Sequence, residues 1–497
     1  MPWRKPKQLA IRKDRSRAEL GVGEAHSSIE ASNDRGAKGP QFKGNAGSSQ
    51  NREIGVSLTT PLKVRELQRA LYAKAKAEPA YRFYALYDKI YRKDVLLWAW
   101  SCCRANGGSA GVDGQSFEGI EHKGAEAWLE ELAQELRTKG YRPQAVRRVM
   151  IPKPDGRQRP LGIPTIKDRV VQMAAVIVLE AIFEADLTEE QYAYRPQRSA
   201  HGAVREVHGL LNRGYSEVVD ADLSSYFDTI PHHELMKSIA RRVSDGAMLA
   251  LIRAWLEMAV EEDDGKGNKR KTSVNKDSGR GTPQGAPISP LLANLYMRRF
   301  LLGWKQQGWD KKLKAYIVNF ADDFVILCRG TAAEARERME AMMQKLKLTV
   351  NQQKTRTCRV PEESFDFLGY TLGRCYRIGT GKAYIGTRPS KKRVLRVCER
   401  ISQMTQAKLC WRETEEVVGE LNLVLRGWAN YFRLGAVTKA YRAVDGHARY
   451  RLRQWLCCKH KAYGQGRNRF PDEYLYGKLG LFCLSEFSTN LPWAKAN

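Results

Sequence analysis

One short stretch constrains this chain more than any other. Tyr316-Ile-Val-Asn-Phe320 and Phe324-Val-Ile-Leu-Cys328 are apolar, β-prone runs separated by Ala321-Asp322-Asp323. This pattern predicts two antiparallel strands joined by a tight hairpin with acid at its tip. Neighbouring residues of a straight strand point to opposite faces, so only a turn lets the Asp322 and Asp323 carboxylates approach one site. Upstream, Glu217-Val-Val-Asp-Ala-Asp-Leu223 predicts another strand, with Val218, Asp220 and Asp222 on one face. Taken singly, an Asp-Asp turn is ordinarily solvated surface, and a strand-end aspartate ordinarily caps something. Their significance depends on what else the chain carries.

From residue 107 to about 380 predicted strands alternate with helices, as in an α+β domain. Before it, Thr60-Pro61 predicts a helix start, with Thr60 as the cap and Pro61 in the first helical position. Two helices are expected over about 61–78 and 80–104, a helical extension covering 59–106. The second holds Tyr81, Phe83, Tyr84, Tyr87, Tyr91 and Trp98, which are core aromatics by default although such rings also stack on bases. Residues 1–58 are basic, rich in Gly, Ser and Asn and poor in large apolar side chains, which predicts disorder. Glu261–Arg280 reads as a charged, exposed hairpin or loop. Past about 381 the chain turns helical and basic. Gly386-Thr-Arg-Pro-Ser-Lys-Lys-Arg393 is expected to open one helix, and Val417, Leu421, Leu425, Trp428 and Phe432 form an apolar stripe on the next. This helical region is expected to end near 455. Residues 456–497 continue a basic segment begun by Arg451 and Arg453, in which Lys459, Lys461, Arg467 and Arg469 suit phosphate contact.

Charge narrows the partner class. Across 497 residues, 84 Lys and Arg oppose 55 Asp and Glu, a net +29. Such an excess favours a polyanion. Basic stretches interleaved with aromatics favour nucleic acid over a membrane surface. No apolar run approaches the roughly 20 residues needed to cross a bilayer. Met1–Leu20 has no apolar core of a secretion signal, and the ten cysteines include no CxxC pair. A cytoplasmic protein with reduced thiols and no zinc site is expected.

Further motifs join the aspartates. Arg147–Pro160 reads as strand, Pro-Asp-Gly turn, strand, placing Lys153 and Arg159 on a hairpin able to close on a triphosphate, although a plain basic hairpin looks the same. Tyr192–His201 is dense in donors suited to template or nucleotide phosphate. Tyr226-Phe227-Asp228 follows Asp222. Gly281-Thr-Pro-Gln-Gly-Ala-Pro-Ile-Ser-Pro290 leads into a helix through Asn294, and Gln284 offers both a donor and an acceptor. Phosphoryl transfer by two Mg²⁺ ions roughly 4 Å apart suits such residues, because Mg²⁺ takes carboxylate, phosphate and water oxygens.

In this order the motifs resemble the group II intron reverse transcriptase/maturase family. The resemblance runs from about 58 to 485, through Gly111-Val-Asp-Gly114, Ile151-Pro-Lys153 to Pro164, Tyr194–Ala200, Asp222–Asp228, Gly281–Asn294, Phe320–Asp323, Asn351-Gln-Gln-Lys354 and Phe365-Asp-Phe-Leu-Gly369. Leu421–Phe432 is similar to the maturase signature of the same family. The resemblance implies a right-hand polymerase, with fingers and an antiparallel palm sheet over 107–380 and an all-α thumb or maturase domain over 381–455. It assigns two Mg²⁺ ions, replaceable by Mn²⁺, to Asp222, Asp322, Asp323 and the Leu223 carbonyl. Phe227 becomes the sugar gate, Lys153 and Arg159 the triphosphate contacts, and Gln284 and Gly285 the lining of the nucleotide site. Arg195, Arg198, Phe320, Lys354, Lys391, Lys392, Arg393 and Arg426 become candidate primer, template or RNA contacts. A solvated helix face is the ordinary reading of any single thumb cation, and Phe320, where the family often has Tyr, is equally a core aromatic. Implied partners are intron RNA, an RNA template with DNA primer, target DNA and dNTPs, in a bacterial, nucleoid-associated setting. No zinc-associated endonuclease domain is expected. A domesticated repair or defence enzyme, or a splicing-only maturase, are the alternatives.

Overall fold

The computed structural model describes residues 59–152, 158–263, 269–377 and 379–489. The segment expected to be disordered, 1–58, lies outside the described residues, as does the 153–157 turn. The first helix, α1 (Leu62–Ala77), begins after Pro61, which occupies the cap position expected for Thr60. The helix expected over 80–104 divides into a single turn, α2 (Tyr87–Ile90), and α3 (Lys93–Asn106). A distant side chain fixes the late start of α2. Asp245 accepts from the Leu86 and Tyr87 N–H groups at 2.7 Å each, while Phe83 bridges to Val243. Amides captured in this way are lost to a continuous helix.

Next come α4 (Phe117–Lys123), capped by Ser116, and α5 (Ala125–Arg137). The expected basic hairpin forms from β1 (Val146–Pro152) and β2 (Gln158–Ile163), paired antiparallel with Val149 opposite Leu161. Thr165 caps α6 (Ile166–Glu184), a helix buried on nearly every side, and it is apolar nearly all round for that reason. Ser199 caps α7 (Ala200–Asn212), which leads to β3 (Glu217–Asp222). Then follow α8 (Tyr226–Thr229), α9 (His232–Ala240) and α10 (Gly246–Leu256). The charged insertion is a hairpin, β4 (Val260–Asp263) and β5 (Lys269–Thr272), followed by α11 (Val274–Ser278); its Glu261 is buried, not exposed as expected. After α12 (Ser289–Gln306) and α13 (Trp309–Lys312) comes the acidic hairpin, β6 (Tyr316–Phe320) and β7 (Asp323–Cys328).

The chain continues through α14 (Ala332–Lys345), β8 (Arg356–Arg359), β9 (Phe365–Phe367), β10 (Tyr370–Tyr376) and β11 (Ala383–Pro389). Gly386 therefore lies in a strand, and the expected helix starts five residues later as α15 (Lys391–Met404). Pro389 explains the delay, because the residue before a proline is driven out of the helical region. Three helices complete the described chain: α16 (Thr414–Tyr431), α17 (Thr438–Lys459) and α18 (Leu484–Thr489).

The result is a mixed α and β fold with mainly antiparallel sheets. One sheet has the order β6-β7-β3-β8, all antiparallel; a second, β2-β1-β4-β5, contains one parallel pair; β11-β10-β9 make a third. A large apolar cluster joins α1 to α14, and a second joins α15 to α18. The third, including Val218, Val325, Tyr370 and Phe432, ties the acidic sheet to the three-stranded sheet and the end of α16. Among the described residues no helix is long and apolar enough to cross a membrane.

Candidate active site

The acidic sheet sets the geometry. Its register places Asp222 of β3 opposite Asp323 of β7, and Phe320 opposite Asp323 across the hairpin. Ala321 makes the turn with φ +59°, a left-handed conformation costing an L-residue about 1 kcal/mol. Asn319 holds the turn by donating its side-chain N–H to the Ala321 carbonyl at 2.8 Å. Asp222, Asp322 and Asp323 therefore meet at one end of the sheet. Asp220, one step back on the same strand face, pairs instead with Arg356 at 3.4 Å. Burial pushes Asp220 up to about 6, with Arg356 opposing.

Asp222 is held from the β8 side. Lys354 Nζ lies 2.9 Å and Asn351 Nδ2 3.1 Å from its Oδ2, and the Asn351 backbone N–H donates to the Asp222 carbonyl at 2.8 Å. Sequence reasoning included Lys354 but missed Asn351, whose only sign was its place in the Asn351-Gln-Gln-Lys354 motif. Leu223 bridges Val350 through bonds made by its neighbours, Ser224 N–H to Thr349 and Asn351 N–H to Asp222. In such an antiparallel bridge the residue's own carbonyl faces the other edge, here toward β7 and the aspartates.

Asp323 is accessible at the strand tip, yet surrounding protein desolvates its carboxyl. Together with repulsion from Asp322, Asp222 and Asp220, this pushes it from the ordinary 3.8 up to about 7, with Lys354 opposing. Water reaches the residue, so the like-charge repulsion is the more robust of the two causes. A carboxyl with a raised folded-state pKa keeps a proton that the unfolded chain has released. Stability of the metal-free protein therefore falls as pH rises from about 4 to about 7. We expect Asp323→Asn to melt higher than the parent near pH 8, with a smaller gain near pH 5; a gain independent of pH would contradict the crowding.

The nucleotide-lining candidates lie on two joined segments, one following β3 and one leading into α12. Phe227 is buried; its carbonyl accepts from the Thr282 N–H at 2.7 Å, while the neighbouring Tyr226 hydroxyl donates to the Ala293 carbonyl at 2.7 Å. Gln284 donates to both oxygens of Asp228 at 2.8 Å, which makes Asp228 an orienting residue absent from the sequence-based site. Gly285 has φ +105°, and a Cβ there would lie 2.6 Å from the Gly162 carbonyl. The Gly162 N–H donates to the Gln284 carbonyl at 2.7 Å, docking the basic hairpin on this segment. Arg159 stands in β2 opposite Ile151, but its side chain and all of Lys153 lie outside the described residues.

Other expected contacts divide. Lys391, Lys392 and Arg393 are exposed at the start of α15, and exposed Arg426 lies 5.0 Å over the Phe482 ring. Phe320 is half-buried against the third apolar cluster. Arg198 lies 5.1 Å over the Tyr192 ring. Arg195 is engaged internally, paired with Glu184 at 2.6 Å and donating to the Thr188 and Gln191 carbonyls. It is a fold-holding residue rather than an available template contact. Two cations of the basic C-terminal segment need the same correction. Arg453 donates to the Phe470 carbonyl at 2.8 Å and bonds Asp472, while Arg451 donates to the Thr405 carbonyl at 2.9 Å. Phe470, Leu475, Leu481 and Leu484 belong to the same apolar cluster as α15–α17.

Among the described residues, no three His, Cys, Asp or Glu side chains close into a metal cage. An open, all-oxygen edge still suits Mg²⁺, which takes one or two carboxylates and completes its shell with water and substrate phosphate. The crowding of Asp323 is the structural sign that the edge favours a cation.

Comparison with known proteins agrees. The family described as reverse transcriptase (RNA-dependent DNA polymerase) matches residues 151–372, and that described as group II intron, maturase-specific domain matches 394–474. Protein YkfC of Escherichia coli is 33% identical over 348 residues, covering 63% of this chain and 88% of that protein. The group II intron-encoded protein LtrA of Lactococcus lactis is 32% identical over 231 residues, 45% of this chain and 36% of that one. A telomerase chain from Candida albicans has a TM-score of 0.37 and 13% identity over 74% of this chain and 68% of that one, too distant to carry weight. The chain therefore belongs to the group II intron-encoded reverse transcriptase/maturase family, and is by that membership an RNA-directed DNA polymerase.

Proposed function

We propose that this protein copies RNA into DNA by two-metal phosphoryl transfer and assists the splicing and mobility of a group II intron. The observation that carries the reading is the meeting of Asp222, Asp322 and Asp323 at the tip of one antiparallel sheet. In this reading β1–β2 and β4–β5 belong to the fingers, the β6-β7-β3-β8 sheet is the palm, and α15–α17 form the thumb. Asp222, Asp322, Asp323 and the Leu223 carbonyl would hold two Mg²⁺ ions, with Mn²⁺ able to substitute. When bound, these activate the primer hydroxyl and stabilise the leaving pyrophosphate.

The chain's own groups perform the rest. Asn351 and Lys354 fix one oxygen of Asp222, leaving its other oxygen to face the cleft. Asp228 turns the Gln284 amide so that its carbonyl oxygen is presented to an incoming nucleotide. Lys153 and Arg159 are the proposed triphosphate contacts, and the hairpin that holds Arg159 is anchored at Gly162. The exposed cations of α15 and Arg426 grip template–primer and intron RNA. Phe227, clamped through Thr282 and the Tyr226 hydroxyl, supplies a rigid wall where a ribose 2′-hydroxyl would project.

We expect Phe227→Ala to raise ribonucleotide incorporation relative to deoxynucleotide by about tenfold or more, a loss of about 1.4 kcal/mol of discrimination. Single-nucleotide extension with matched dNTP and rNTP measures it; an unchanged ratio would remove the gate role. The maturase part is tested separately by adding the purified protein to a group II intron RNA encoded around its own gene. Accelerated splicing at moderate salt supports that part, and no acceleration leaves a polymerase without it.

A further inference from the structure

We propose that the helical face formed by α6, α9 and α12 carries a second nucleotide-binding site, whose ligand is one nucleoside phosphate unit, free or as an unpaired unit of an RNA strand. None of its lining residues belongs to the aspartate cleft, so the inference is independent of the polymerase reading. The site is a cavity of about 330 Å³ with an apolar floor of Phe183, Leu295 and Leu302. That volume lies at the small end of ligand sites, which run from roughly 300 to 1,000 Å³. It exceeds what a lone phosphate fills and admits a base with its sugar.

Charge decides the ligand's sign. Lys237, Arg241, Arg298 and Arg299 line the cavity, and buried Arg242 lies behind it. Few of these charges are neutralised. Arg299 takes Glu234 at 2.8 Å, and Lys237 shares that carboxylate at 3.4 Å. The Asp186 carboxylate faces Arg242 at 3.3 Å, so Arg298 is left donating to the Asp186 backbone carbonyl at 2.6 Å. The Arg241 side chain has no partner among the described residues. Five cations against Asp186 and Glu234 leave 5 − 2 = +3 around one small cavity. Burial lowers the Arg298 pKa, and the adjacent Arg241 and Arg242 charges add to that effect against Asp186.

A phosphate supplies the missing counter-charge, because guanidinium forks bind phosphate oxygens in parallel pairs. The apolar floor separates this place from an ordinary solvated basic patch and suits a base face, which guanidinium planes also cover. A strand anchored here would be held by the enzyme outside the copying cleft.

The test uses the full chain without divalent cations. Fluorescent AMP is titrated by anisotropy, and a single-stranded RNA carrying 4-thiouridine is photocrosslinked and its attachment mapped. The variants are Lys237→Glu with Arg241→Glu, the milder Arg241→Gln, and Ser238→Trp, which fills the cavity from its rim. Unchanged melting and unchanged extension of a pre-annealed primer–template show that each variant is folded. We expect the charge reversal and Ser238→Trp to weaken AMP binding at least tenfold and Arg241→Gln to weaken it about threefold. Crosslinks to 237–241 or 295–306 that disappear in the variants identify a strand as the source. A loss confined to AMP identifies free nucleotide. AMP affinity unchanged in every variant, with no crosslink to either segment, overturns the proposal.

Discussion

Replacing Asp322 by alanine is expected to lower Mg²⁺-dependent extension of a DNA primer on an RNA template by at least about a thousandfold, near 4 kcal/mol of transition-state stabilisation. The expectation follows from the turn. Ala321 and Asn319 hold the acidic tip in one conformation, and the turn fixes the place of Asp322. The like-charge repulsion that raises Asp323 also drops when Asp322 is removed. The variant should therefore melt no lower than the parent and retain its affinity for RNA. Single-turnover extension measured beside RNA binding separates the two effects. Extension within tenfold of the parent would place the metal-binding carboxylate elsewhere.

A smaller but still large loss is expected from one methyl group. In Gly285→Ala the new Cβ would stand 2.6 Å from the Gly162 carbonyl and 3.0 Å from Leu161 Cδ1, at a backbone φ of +105° that an L-residue resists. The first obstacle is backbone and cannot rotate away. The β1–β2 hairpin must therefore shift relative to the Gly281–Pro290 segment, stretching the 2.7 Å bond between Gly162 N–H and the Gln284 carbonyl. That hairpin carries Arg159 and leads to Lys153. A displacement approaching 1 Å typically costs about a hundredfold in rate, and we expect kcat/KM for dNTP to fall by about that factor. Gly246→Ala is the control, since a Cβ there meets nothing within 4 Å. A Gly285→Ala enzyme as active as the control would show that the hairpin does not position the nucleotide.

Local pattern made the centre of the molecule legible. The β3, β6 and β7 strands alternate or run apolar as strands should, and a turn was the only arrangement that could bring Asp322 and Asp323 together. The stripe from Val417 to Trp428 lies on α16, with Phe432 just past its end and Val417, Leu421 and Leu425 buried as expected. What escaped the sequence depends on partners far along the chain. Nothing near residue 86 announces that Asp245 will take its backbone amides and delay the start of a helix. Arg195, Arg451 and Arg453 look like solvent-facing cations in a basic protein, yet each is bound to a carboxylate or carbonyl brought near by folding. Asn351 and Asp228 look like ordinary polar residues until their hydrogen bonds to Asp222 and Gln284 are seen. The three candidate aspartates were readable because strongly patterned strands carry or flank them. Asn351 and Asp228 lie on a loop and on a single helical turn, too short for periodicity to say anything.

The most direct test of the central claim is extension of a 5′-labelled DNA primer annealed to an RNA template by the purified full chain, with dNTPs and Mg²⁺. An active reverse transcriptase gives template-matched products that vanish with chelator, return with Mg²⁺ or Mn²⁺, and are lost in Asp322→Ala. Tight, salt-sensitive binding of the same primer–template without any extension in either metal would contradict it, and would leave a protein that holds RNA without copying it.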